Sequence, residues 1–134
     1  MASCTFTNCT TSGTNCSLKY MFYYCYYLTS LDLSGLNTSA VTNMEEVFQD
    51  CTNITSLNLS GWNTSNVTNM YQMFSGCSKL TSLNLSSFDT SNVTGMASMF
   101  YQCSSLTSLD LSGWNVSKVN RQKGLGICHC WCVW

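Results

Sequence analysis

Apolar residues return along this chain at a fixed interval of 26 positions: Leu31, Leu57, Leu83 and Leu109 keep one register, and Leu33, Leu59, Leu85 and Leu111 a second. Val41, Val67, Val93 and Val119 hold a third, Phe22, Phe48, Phe74 and Phe100 a fourth, and Cys25, Cys51, Cys77 and Cys103 a fifth, with no insertion or deletion between them. A constant period of this length marks a repeat architecture, in which a unit too small to bury its own apolar face buries it against its neighbours.

Each unit opens on a segment of the form L-T-S-L-D/N-L, at Leu28 to Leu33, Ile54 to Leu59, Leu80 to Leu85 and Leu106 to Leu111. Its last residues alternate apolar and polar, which predicts a short strand with the leucines inward. Equivalent segments laid side by side make a parallel sheet. A run such as Ser60 to Ser65 follows, rich in residues that build turns through their own side chains, and forms the first corner. Val41 to Met44, Val67 to Met70 and Val93 to Met96 then supply two further inward residues each. The closing M-F-x-x-C segment, as at Met73, Phe74 and Cys77, spaces its apolar residues as in a helical or 3₁₀ turn. One unit alone cannot offset about 1–2 kcal/mol of ordering cost per residue, so stability is expected only of three or more units together.

The pattern divides the chain into a degenerate N-terminal cap (1–17), about four 26-residue units (18–119) and an irregular Cys-rich C-terminal tail (120–134). Only 8% of the 134 residues are charged and the formal net charge is −1, so solubility rests on Ser, Thr and Asn, and no field exists to recruit nucleic acid or an anionic membrane. Lys118, Arg121 and Lys123 cluster near the C-terminus and read as a solvated tail. No apolar run has the length of a signal peptide or a membrane span, so the chain is expected to carry no export signal or anchor of its own and no membrane insertion is expected.

Ten cysteines would suit a disulfide scaffold, but Cys25, Cys51, Cys77 and Cys103 share one place in successive units, where parallel side-chain vectors fit a bridge poorly. They read as a buried column of thiols. Cys128, His129, Cys130 and Cys132 are the one soft-ligand cluster, and on a single strand they cannot close a tetrahedral shell without help from Cys4, Cys9 or Cys16. No metal or cofactor site is expected. His129 is the only histidine, which leaves the repeats without a nucleophile–base pair, and an enzyme is not expected. The column Asp32, Asn58, Asn84, Asp110 has amides at its inner positions and reads as packing chemistry, not as an acid pair. Sequons at Asn37, Asn53, Asn63, Asn66 and Asn92 follow from the turn composition.

Four polar columns are expected to face outward: Thr29, Thr55, Thr81 and Thr107; Ser30, Ser56, Ser82 and Ser108; Thr38, Thr64 and Thr90; and Thr42, Thr68 and Thr94. Leu36, Trp62, Phe88 and Trp114 form an apolar column beside the first corner, read as core lining, with an exposed aromatic stripe as the alternative.

The string at Leu80 to Cys103, LTSLNLSSFDTSNVTGMASMFYQC, resembles the BspA-like leucine-rich repeat of bacterial and protist surface proteins, and the resemblance covers about residues 16 to 119. It implies a repeat solenoid: a leucine-rich-repeat-like right-handed coil with a short parallel β-sheet on one face and short turns, 3₁₀ or helical arcs on the other. It further implies a non-catalytic adhesion or binding module at the cell surface or outside the cell. The expected partner is a host or neighbour-cell surface protein or glycan, met by the polar strand face of Ser30, Asp32, Ser56, Asn58, Ser82, Asn84, Ser108 and Asp110, with end-to-end self-association also open. The alternative is a purely structural or ice- and water-ordering stack, since regular Thr columns could order water in a lattice.

Overall fold

The computed structural model of the chain describes residues 16–120 in full and residues 131–133 as backbone. Its strands are short: β1 (Cys16–Ser17), β2 (Ser30–Asp32), β3 (Val41–Asn43), β4 (Ser56–Asn58), β5 (Ser108–Asp110) and β6 (Trp131–Val133). All pairings are parallel. β2 lies beside β4 in the 26-residue register, with Ser30 opposite Ser56 and Asp32 opposite Asn58. β1 lies beside β3, with a shift between Cys16 and Ser17, and β5 beside β6, where Ser108 meets Trp131. The line of β1 and β3 continues through parallel bridges from Asn43 to Asn69 and from Asn69 to Gly95.

No helix occurs among the described residues. The M-F-x-x-C segment, whose spacing predicts a helical or 3₁₀ turn, is a run of tight turns. Met73 N donates to Met70 O (3.3 Å) and Cys77 N to Phe74 O (3.2 Å), with Gln72 and Gly76 in the left-handed region at φ 50° and 77°. Tyr20 and Tyr24, Asp50, and Ser98 and Gln102 adopt the same conformation in the other units. The reason lies in where alternate amides point. Phe48 N donates to Met73 O (2.9 Å) and Asp50 N to Ser75 O (2.7 Å), just as Phe74 N donates to Met99 O (3.0 Å) and Gly76 N to Tyr101 O (2.8 Å). An α-helix would spend those amides within its own segment and leave the units unlinked.

The core is a set of residue columns. Phe22, Phe48, Phe74 and Phe100 stack ring on ring, with centroids 5.4, 5.6 and 5.7 Å apart and planes within 7° of parallel. A second column runs through Trp62, Phe88 and Trp114 at 6.4 and 6.5 Å. Trp62 and Phe88 are buried while Leu36 and Trp114 are half-buried, so this column is core lining. Cys51, Cys77 and Cys103 are buried and Cys25 half-buried, all four as thiols and not as disulfides. The Sγ of Cys51, Cys77 and Cys103 each contacts a carbonyl 29 residues earlier, those of Phe22, Phe48 and Phe74, at 3.0–3.2 Å. Cys16, by contrast, is disulfide-bonded.

One expectation is corrected. Thr38, Thr64 and Thr90 do not face outward but are buried. Each hydroxyl reaches the main chain of the next unit: Thr38 Oγ1 donates to Asn63 O (3.0 Å) and accepts from Asn63 N (2.9 Å). Thr90 makes the same pair with Asn115, at 3.1 and 2.9 Å. A hydroxyl is donor and acceptor at once, so it satisfies two backbone groups that a corner turned away from water would otherwise strand.

Candidate functional site

The strand face is built by short side chains that first serve their own backbone. Asp32 Oδ1 accepts from Ser34 N (2.9 Å), Asn58 Oδ1 from Ser60 N (3.1 Å), Asn84 Oδ1 from Ser86 N (3.0 Å) and Asp110 Oδ1 from Ser112 N (2.9 Å). Each thereby bends the chain out of the strand into the first corner. Hydrogen bonds from Ser34 and Ser112 hold the carboxyls of Asp32 and Asp110 below the usual carboxylate range. With these side chains tied into turns, this column has a turn-building role. The Asp32 carboxyl is also reached by the side-chain amide of Asn58 in the next unit, while the exposed amide nitrogen of Asn84 faces solvent or a partner.

All eight expected site residues, Ser30, Asp32, Ser56, Asn58, Ser82, Asn84, Ser108 and Asp110, are exposed. They do not form one uniform surface. Between the first two units the backbone ladder is closed, with Leu33 N donating to Asn58 O (2.9 Å) and Thr55 N to Thr29 O (2.8 Å). Among the described residues, no backbone hydrogen bond joins Ser82–Asn84 to the unit on either side. Leu83 is half-buried, as is Leu31 in the first unit, whereas Leu57 and Leu109 in the same register are buried.

A groove of about 440 Å³ lies along this opening. Ser82, Asn84, Ser108 and Asp110 line its rim, and Leu85 and Trp114 are among the apolar residues lining it. The two corner tryptophans record the difference. Trp62 Nε1 donates to Leu33 O at 2.9 Å, but Trp114 Nε1 is buried with no hydrogen-bond partner among the described residues. By the repeat its acceptor would be Leu85 O, across the groove. The site therefore offers hydroxyls, an amide and a carboxylate beside apolar lining residues, a set that suits contact with a polar ligand.

A second feature was not legible as a site from the apolar columns. Tyr20, Tyr23, Tyr24, Tyr26 and Tyr27 all lie in the closing turns of the first unit and are exposed, Tyr27 to 98%. The corresponding positions in the second unit are Glu46, Gln49, Asp50, Thr52 and Asn53. Apart from Tyr101, which shares the column of Tyr23, the later units carry no aromatic residue at these positions, and that departure is the signal that identifies the cluster.

The cluster Cys128, His129, Cys130 and Cys132, like Cys4, Cys9, Arg121 and Lys123, falls outside the residues whose side chains are described. Lys118 is described: its Nζ donates to Asn92 Oδ1 at 2.8 Å. No helix among the described residues is long and apolar enough to cross a membrane.

Compared with known families, residues 16–125 match the model described as "Mycoplasma protein of unknown function, DUF285", a BspA-like family domain. The chain belongs to that family. No curated protein and no solved structure matches it.

Proposed function

We infer that this member of the DUF285 family is a leucine-rich solenoid piece that works as a non-catalytic binding module at a cell surface. The observation that carries the reading is the groove of about 440 Å³, whose rim holds Ser82, Asn84, Ser108 and Asp110 and whose strand segment Ser82–Asn84 has no backbone partner among the described residues. Polar groups already fixed by turns lose little freedom when they meet a ligand, which favours recognition. The partner class is a host or neighbour-cell surface protein or glycan. The module needs no cofactor, nucleic acid or membrane insertion.

The lattice-ordering alternative is weaker. It calls for several regular Thr columns in contact with water, and one of the three, that of Thr38, Thr64 and Thr90, is buried, which leaves Thr29, Thr55, Thr81 and Thr107 as the fully exposed one.

The test is an array of purified extracellular proteins and glycans probed with the full chain and with Ser108→Tyr, which fills the groove. The reading expects at least one partner that the parent chain retains and the variant loses, with the unfolding midpoint unchanged. Partners held equally by both, or no partner at all, would refute it.

A further inference from the structure

The tyrosines of the first unit are not required by the fold. Tyr20 and Tyr24 sit at φ 64° and 55°, a region where bulky side chains are outliers, and the equivalent positions elsewhere are filled by Glu46, Asp50, Gln72 and Gly76. An aromatic ring there brings strain without core burial, because all five rings are exposed, by 38–48% at four positions and 98% at Tyr27. At about 200 Å² for a fully exposed tyrosine, the five residues together present roughly 500 Å² of surface, the size of patch that on a monomer commonly has a function.

Four of the rings form a connected chain, with Tyr27 next to its end in sequence. Tyr20 meets Tyr23 edge to face at 5.3 Å, Tyr23 meets Tyr24 edge to face at 4.2 Å, and Tyr24 lies 5.4 Å from Tyr26. Charge at its border is neutralised or negative. Lys19 Nζ lies 4.7 Å over the Tyr20 ring but is paired with Glu45 at 2.9 Å. A hydrogen bond with Tyr23 is the main cause that raises the pKa of Tyr24, and desolvation the main cause that raises that of Tyr26, with the nearby Asp50 carboxylate adding to both.

We propose that this tyrosine chain is a carbohydrate-binding surface that takes a neutral oligosaccharide. Three features select that occupant. The electron-rich ring faces match the C–H faces of a pyranose, and the phenol hydroxyls match its hydroxyl rim. The pairing of Lys19 with Glu45 and the presence of Asp50 disfavour an anionic ligand. Roughly 500 Å² falls short of the ~800 Å² per partner of a stable protein interface, so neither a folded protein nor a second copy is the better fit. The surface belongs to the first unit, while the groove lies between the third and fourth, so this assignment does not rest on the groove.

The test is titration of the full chain with cellotetraose, chitotetraose and maltotetraose, with a heparin tetrasaccharide as the charged control, followed by calorimetry and by tyrosine ring-proton shifts. At least one neutral tetramer is expected to bind and to shift those rings. The pair Tyr23→Ser and Tyr27→Ser should weaken it at least tenfold with the unfolding midpoint and the groove's own partners unaffected. The proposal is overturned if no neutral tetramer binds, if the double variant binds as well as the parent, or if heparin alone binds. Concentration-dependent sedimentation that the same substitutions abolish would give the surface to a second copy and likewise overturn it.

Discussion

Thr64 and Asp89 are joined twice: the hydroxyl of Thr64 donates to the carbonyl of Asp89 at 3.0 Å and accepts from its amide at 2.8 Å. One buried side chain therefore replaces the ladder that the corner lacks, tying one unit to the next. Thr64→Val keeps the shape, removes both bonds and leaves two backbone groups of Asp89 unsatisfied, so it should cost about 1–3 kcal/mol. Thr81→Val, at an exposed position, should stay within about 0.5 kcal/mol. Denaturant midpoints of the two variants decide it, and equal midpoints would mean that the Thr64 hydroxyl is not a link.

These threonines also mark how far the fold is legible in the sequence. The leucine, valine and phenylalanine columns and the outward strand face follow from period and alternation, because burial of apolar surface is the strongest force in folding and is written in residue type. The direction of Thr38, Thr64 and Thr90 is not, since a threonine that faces water and one that satisfies two buried backbone groups look alike in a string. The tight closing turns were hidden for a related reason. Apolar spacing of three and four is shared by a helical arc and by successive turns, and what separates them is the left-handed conformation at positions such as Asp50 and Gln72, which a glycine marks only at Gly76.

Alkaline pH should weaken the fold through the thiol column. Burial pushes the Cys51 thiol up to about 12, and Cys77 is raised further for the same reason. A folded-state value above the unfolded one means that the stabilising contribution is complete below about pH 9 and is lost as pH climbs toward 12. Each thiol replaced by Ser should flatten the fall of unfolding free energy between pH 9 and 11 by about 1.4 kcal/mol per pH unit. Urea titrations of the parent and of Cys51→Ser across that range measure it. Parallel slopes would show that Cys51 is not shielded from water.

Asn84 has separable duties. Its Oδ1 caps Ser86 N, whereas its amide nitrogen is free to face a ligand. Asn84→Asp should keep the cap and the stability but alter partner retention, while Asn84→Leu should lose about 0.5–1.5 kcal/mol with the cap. Thermal melts beside binding assays separate the two, and a melt of Asn84→Asp as low as that of Asn84→Leu would refute the capping role.

The tryptophans of the second core column should differ in spite of their shared register. In single-tryptophan variants with the others changed to Phe, Trp62, at 1% exposure, should resist acrylamide, and half-buried Trp114 should be partly quenched. Equal quenching would place the two in the same environment and remove the evidence for an opening beside Trp114.

The functional reading stands on a ladder that is closed between the first two units and open at Ser82–Asn84, and amide hydrogen exchange resolved by residue measures that directly. Amides of Leu33, Phe48, Thr55 and Phe74, all bonded across units, should exchange slowly, and those of Ser82, Leu83 and Asn84 at least a hundredfold faster. Protection of Leu83 as strong as that of Leu57 would mean a continuous sheet, no groove between Ser82 and Ser108, and no basis for placing a partner there.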